Sequence, residues 1–479
     1  MMGRIDIRYM MFLVLLIIAS ACTDFLDEVD QDKLVPEKTD HYAALLLKEF
    51  NKEYPIFKTI DYMTDNMTEV DYALSDTKVS RKTVYTWQRE IEIDEEGDEL
   101  SSINRAWREI YEDIAITNYV IEQIDDADGE QEEKDYIKGE AYFVRAHSYF
   151  NLLNLYGQPF NDETADADLG VPLRTNIAVE QVYYRNTVRE CYNQIEEDLT
   201  LATELIFNSG IEKSKWHPDV NTCNLLMSRV KLYQKNWEEA IDFATKVISN
   251  GSLARMNAAN VFVTEDNTEI LYSFYTLSPV FTSSSQTVTG YSSSPELYNL
   301  YQDEDARKVA FFGINTVGTA EYYITKKYSS DFTELGYGNY RVSEAYLNRA
   351  EAYAQLGQTG EAINDVSDLL QRRYSDMSVI EFPEAQAEVL DFILTERRKE
   401  LCFEDHHRWF DLRRMENRPE IKHVFTLVNS SAQKYGVETY TLLSDDPNYT
   451  LPIPLQEREN NPLIRNNERL EKLPVKENL

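Results

Sequence analysis

Cysteine is scarce in this chain, four among 479 residues, and the three that follow Cys22 leave an odd remainder, so a disulfide framework does not organise it. Cys191, Cys223 and Cys402 each sit among apolar residues in a helix-like pattern and read as small buried hydrophobes. None belongs to a Cys-x-x-Cys pair, which leaves metal ligation by thiolates little support. Glycine and proline are also few, 16 and 14. No Pro/Gly/Ser-rich linker divides the chain, and neither Gly-x-Ser-x-Gly nor a glycine-rich phosphate loop is present. Positive charge is short as well: 48 basic residues face 84 acidic ones, a net −36. Such a field repels phosphate backbones, so nucleic acid is a poor partner. It also favours neutral over polyanionic sugars unless a local basic patch reverses the balance. What is present, 43% hydrophobic and 12% aromatic residues, is the composition of a globular chain.

An uninterrupted apolar run, residues 9–19, follows Arg4 and Arg8 and ends in Ala19, Ser20 and Ala21 before Cys22. That is the layout of a cleavable secretory signal over residues 1–21, and the run falls short of the roughly 20 apolar residues that cross a bilayer. Cys22 directly after Ala-Ser-Ala looks like the lipobox of a bacterial lipoprotein, in which the thiol is acylated. The mature chain, residues 22–479, is then expected to be anchored on a membrane rather than to span it.

Periodicity predicts a mainly α fold in one domain. Trp107, Ile110 and Ile114 form the stripe of a helix over residues 103–124, and further helices are expected over 135–156, stopped by Gly157-Gln158-Pro159, and over 187–207. Two helix pairs carry tetratricopeptide-like spacing. In residues 342–370 the positions are Ala350, Tyr353, Ala362, Val366 and Leu369, with a turn at 357–360. In residues 225–250 they are Ser228, Ala240, Ala244 and Val247, with Lys231 where a tyrosine is expected. Small residues let antiparallel helices approach, and larger ones fill the groove to the next pair, so these pairs, with a split one at 135–207, predict a helical solenoid core. Residues 50–102 and 252–338 read as an irregular, loop-rich lobe with a few short strands, among them one over 321–328.

The stretch ERRKELCFEDHHRWFDLRRM at 396–415 resembles the signature of the SusD/RagB-like lipoproteins of Bacteroidota. The resemblance continues in chain order through MTDNMTEV at 63–70, AWREIYEDIAITN at 106–118, GEAYFVRAHSYFNLLNLYGQPF at 139–160, VPLRT at 171–175, SEAYLNRAEAYAQLG at 343–357 and YTLPIPLQERENNPLIRNN at 449–467. It implies a tetratricopeptide-like scaffold of four helix pairs, a ligand-bearing lobe, no cofactor and no enzymatic role. It also implies a place on the outer membrane, facing outward, where the protein delivers an oligosaccharide to a SusC-like TonB-dependent transporter. Glu404 and Arg408 are one residue further apart than in the common family form, which puts the geometry of that loop in question.

Within this frame the ligand-contact candidates are aromatic side chains in loops, because a flat ring covers the apolar face of a sugar. They are Trp87 in TVYTWQRE with Asp71 upstream, and Tyr275, Phe281 and Tyr291 of the irregular stretch. Trp107, Trp237 and Trp409 fall on helix stripes or scaffold motifs and are assigned to the core. The charged cluster Glu396, Arg397, Arg398, Glu400, Glu404, Arg408, Asp411 and Arg414 is read as a structural ion-pair network. His406 and His407 are adjacent, do not project together from a helix, and predict no metal site. Three rivals stay open: peptide uptake by the same fold, a surface glycoside hydrolase, and a repeat scaffold that binds only proteins.

Overall fold

A computed structural model describes residues 36–479 apart from 51–59, 72, 74–75, 95–96, 99, 101–104, 179–182, 258, 276–289, 318, 430 and 432. The expected signal segment, Cys22 and Phe281 lie outside the described residues.

The scaffold is a succession of paired helices: α1 (Thr39–Phe50), α2 (Ala106–Gln123), α3 (Gln131–Tyr156), α4 (Val188–Ser209), α5 (Val220–Tyr233), α6 (Trp237–Asn250), α7 (Val342–Gln355), α8 (Thr359–Leu370), α9 (Gln386–Leu401) and α10 (His407–Arg414). From α2 to α8 each packs on the next, and α9 closes against α7 and α8. Local chemistry sets the ends. Thr187 and Glu190 form a capping box at the start of α4, and Gly210 ends it in the left-handed region at φ 63°. Small residues set the spacing: a Cβ on Gly139 of α3 would come within 2.9 Å of the Ile206 side chain of α4. Ala240 and Ala244 of α6 and Ala350, Ala354 and Ala362 of α7 and α8 are fully buried at the seams. Lys231, which breaks the repeat pattern, braces three helices instead, its ammonium 2.8 Å from Glu196 of α4 and 2.7 Å from Glu239 of α6. Among the described residues no helix is long and apolar enough to cross a membrane.

The lobe carries three small antiparallel sheets, built from β1 (Met67–Glu69), β2 (Ile270–Phe274), β3 (Tyr291–Ser293), β4 (Phe312–Val317), β5 (Ala320–Thr325), β6 (Gly338–Arg341), β7 (Ile421–Val428), β8 (Lys434–Leu442) and β9 (Val475–Asn478). Their orders are β1-β3-β5-β4, β2-β6 and β7-β8-β9. Of these strands β5 overlaps the one expected over 321–328; the last sheet lies outside the stretches expected to form the lobe.

Lobe and scaffold meet through charge. Glu400 of α9 is fully buried and accepts from Arg341 at 2.8 Å, Arg373 at 2.8 Å and Arg307 at 3.2 Å. Arg341 and Arg373 share Glu269 at 2.9 and 2.6 Å, and Glu404 takes Lys327 at 2.5 Å and Arg341 at 2.9 Å. A second chain of contacts fastens the end of the stack: Arg397 to Asp411 at 2.8 Å, and Arg414 to Asp411 at 2.8 Å and Glu351 at 2.5 Å. The loop with the additional residue is accommodated by left-handed backbone at Phe403, Asp405 and His406 (φ 60°, 40° and 56°). That path sends Asp405 to Arg229 at 2.8 Å and Arg408 to Asp65 at 2.7 Å.

Burial alone would raise the Glu400 carboxyl, but the guanidiniums of Arg373 and Arg341 overcome it and hold it well below its usual range. Burial of Asp411 is likewise outweighed by Arg397 and Arg414. A carboxylate whose pKa is depressed on folding contributes stability above its unfolded value, near 4.5 for glutamate, and that contribution is lost as pH falls through the folded value. Unfolding free energy is therefore expected to drop on acidification below the ordinary carboxylate range. Glu400→Gln, which removes the negative charge that three buried guanidiniums share, should cost about 3–5 kcal/mol at pH 7 and flatten the acid limb. Denaturant titrations of both proteins between pH 3 and pH 7 measure this, and an unchanged acid limb in the variant refutes it.

Candidate functional site

The structure places Trp87 in the core rather than at a binding surface. It is 0% exposed, its Nε1–H donates to the Met63 carbonyl at 2.8 Å, and its ring stacks on His423 with centroids 4.3 Å apart. Burial pushes the His423 imidazole down to about 4, so it packs as a neutral ring. Tyr291 is corrected in the same way. It is fully buried, donates its hydroxyl to the Lys78 carbonyl at 2.8 Å, and lies 4.7 Å from Tyr62 and 4.9 Å from Tyr85. Both rings are 0% exposed, which leaves no surface for a ligand. Tyr275 is half-buried, with φ at 63° and its ring 4.5 Å from Phe274. Asp71 stands half-exposed beside β1, accepting from the Tyr322 hydroxyl at 3.0 Å and pairing with Lys434. Truncating Trp87 to alanine should therefore act on folding, costing about 3–5 kcal/mol for a large buried ring. A loss under about 1 kcal/mol in equilibrium unfolding contradicts its core role.

A cavity of about 760 Å³ opens elsewhere, where α2 meets a short helix, α11 (Leu455–Asn460). Trp107 and Tyr111 of α2 line it on the scaffold side, Pro172, Arg174 and Tyr183 on another, and Pro454, Gln456, Glu457, Glu459 and Asn460 on the third. Trp107, a core residue by its helical stripe, is only 6% exposed, yet it contributes to the wall of this space. Hydrogen bonds tie the three walls together. The Trp107 Nε1–H donates to Glu457 at 3.3 Å, the Tyr111 hydroxyl to the Pro172 carbonyl at 2.8 Å, the Leu455 amide to Glu92 at 3.1 Å, and the Asn461 side-chain amide to the Tyr183 carbonyl at 3.0 Å. Burial, reinforced by Tyr149, holds the Tyr111 phenol far above its usual range, so it remains a donor at any physiological pH.

Aromatic rings on the floor and guanidinium, carboxylate and amide groups at the rim suit a ligand with apolar faces and many hydroxyls. Size agrees, since ligand pockets run from roughly 300 to 1,000 Å³. Among the described residues no group of three or more His, Cys, Asp or Glu side chains is placed to hold a metal ion. His406 and His407 are both buried or nearly so, and burial holds His407 neutral.

Two family models match the chain: one described as "Starch-binding associating with outer membrane" over residues 24–232, and one for the SusD family over residues 314–469. The chain belongs to the SusD/RagB-like family. It is similar to SusD-like protein P2 of Formosa agariphila, 22% identical with 95% of this chain and 97% of that one covered. Among solved structures it resembles a SusD superfamily protein from Bacteroides vulgatus, with a TM-score of 0.69 at 19% identity over 90% of this chain and 99% of that one. It also resembles a SusD-like carbohydrate binding protein from the same species, with a TM-score of 0.64 at 21% identity over 89% and 97%. These likenesses establish a helical SusD fold.

Proposed function

We propose that the protein captures an oligosaccharide in the cleft between α2 and α11 at the outer membrane and passes it to a SusC-like TonB-dependent transporter, without breaking a covalent bond. The observation that carries this reading is the cleft itself: a cavity of about 760 Å³ with an indole and a phenol in its wall and a polar rim. The family description and the carbohydrate-binding name of one structural relative support the ligand class. Lipidation at Cys22 and outward orientation belong to the same proposal and rest on the sequence. Asp71 and Tyr275, which keep some exposure, remain proposed as further contacts on the lobe.

Asn460 is exposed at the rim and outside the core, so Asn460→Trp should fill the mouth without unfolding the protein. Calorimetric titration of the mature protein with a panel of neutral and acidic oligosaccharides is expected to show binding. The variant should weaken it by at least about tenfold, on the order of 1.4 kcal/mol, at an unchanged unfolding midpoint. Undiminished affinity in Asn460→Trp would remove the cleft from the proposal. Solubilised membranes should yield the protein together with a barrel transporter.

A further inference from the structure

The cleft holds a guanidinium that no carboxylate among the described residues engages. The Tyr183 hydroxyl is buried with no hydrogen-bond partner among the described residues, and the Arg174 guanidinium lies 4.7 Å from the centre of the same ring. No carboxylate among the described residues forms an ion pair with Arg174, whereas the other arginines of the cleft are engaged: Arg105 with Glu109 at 2.7 Å and Arg108 with Glu112 at 3.5 Å. Of the three arginines that line the cavity, Arg174 alone has no carboxylate partner among the described residues.

The acidic side chains of the cleft do not supply that partner. Glu92 accepts from the Leu455 amide at 3.1 Å and Glu457 from the Trp107 indole at 3.3 Å. Glu112 pairs with Arg108, and Glu459 stands exposed at the rim, where solvent and salt screen it. Arg174 is also held in place by its backbone. Its amide donates to the Tyr149 hydroxyl at 2.6 Å, and its carbonyl accepts from the Asn118 side-chain amide at 2.9 Å. A guanidinium with a fixed origin, held against the Tyr183 ring, presents its donors to one acceptor group of negative charge. A planar carboxylate is the group that takes a guanidinium in two parallel hydrogen bonds.

We infer that the cleft selects oligosaccharides containing a hexuronic acid, with the uronate carboxylate received by Arg174 and the sugar ring lying along the Trp107 and Tyr111 wall. This rests on the cleft being the glycan site. It names which class of glycan that site takes.

Matched trisaccharide pairs test it, each a neutral hexose trimer and its C6-carboxylate counterpart, in gluco, galacto and manno configurations, titrated against the mature protein. At least one uronate trimer is expected to bind about tenfold or more tighter than its neutral partner, with the advantage shrinking as ionic strength rises. Arg174→Gln should abolish the difference within each pair, whatever it does to the neutral trimer, at an unchanged unfolding midpoint. Equal affinity within every pair that binds, or a uronate advantage that survives in Arg174→Gln, overturns the inference and leaves the cleft as a neutral-sugar site. Binding of no trimer of either kind overturns the glycan reading of the cleft and this inference with it.

Discussion

The lobe and the scaffold are held in one relation by the ions around Glu400. Three guanidiniums, from Arg307, Arg341 and Arg373, converge on that one carboxylate from segments that otherwise belong to the lobe or to its border with the helix stack. Taking such ions out of water costs several kcal/mol each, and their attraction repays it only where the geometry is good and the remaining hydrogen bonds are satisfied. Here Arg341 reaches Glu269 and Glu404 as well as Glu400, and Arg373 reaches Glu269 and the Ala254 carbonyl. An apolar interface of the same size could slide by a rotamer. A fork of paired donors on a shared carboxylate has one arrangement, and a strand such as β6, which ends in Arg341, is thereby fixed against α9.

Repeated helices were legible because their signal is local. Ala240, Ala244, Ala350 and Ala362 sit one or two turns from the larger residues they serve, so spacing alone shows the seam, and all four are fully buried. The β7–β8 hairpin was not legible because its inward face is partly polar. His423 and Glu438 occupy inward positions among Ile421, Phe425, Tyr440 and Leu442, and they interrupt the alternation that marks a half-buried strand. Their partners come from far away in sequence: the Tyr85 carbonyl lies 2.6 Å from His423, and the Lys82 ammonium 2.7 Å from Glu438. Trp87 failed as a surface candidate for the same reason. Its position between predicted helices suggested a loop, but its left-handed backbone at φ 54° turns the ring inward onto His423.

The cleft was invisible in the sequence for a geometric reason. Its walls come from residues 92–115, 172–183 and 454–460, and the hydrogen bond that joins two of them spans 350 residues, from Trp107 to Glu457. Trp107 satisfies the helical stripe of α2 and so reads as core, which it largely is. A ring can be nearly buried against Tyr156, 5.0 Å away edge-on, and still lend one edge to a cavity on its other side. Periodicity reports which face of a helix is apolar, and it cannot report that the partner on that face stops short.

Net charge and local charge also part company. A total of −36 argues for neutral ligands when the protein is treated as a uniform sphere. Exposed charges are screened beyond about 8 Å at physiological ionic strength, so most of that acidity does not reach into the cleft. What a bound group meets there is set by contacts within a few ångströms: Glu112 is paired with Arg108, while Glu92 and Glu457 accept from the neutral Leu455 amide and Trp107 indole. Arg174, whose backbone is fixed by Tyr149 and Asn118, is the guanidinium of the cleft that no carboxylate among the described residues pairs with. On the proposed reading, a carboxylate brought into contact is selected by the direct hydrogen bonds of that guanidinium and not by the field of the whole protein.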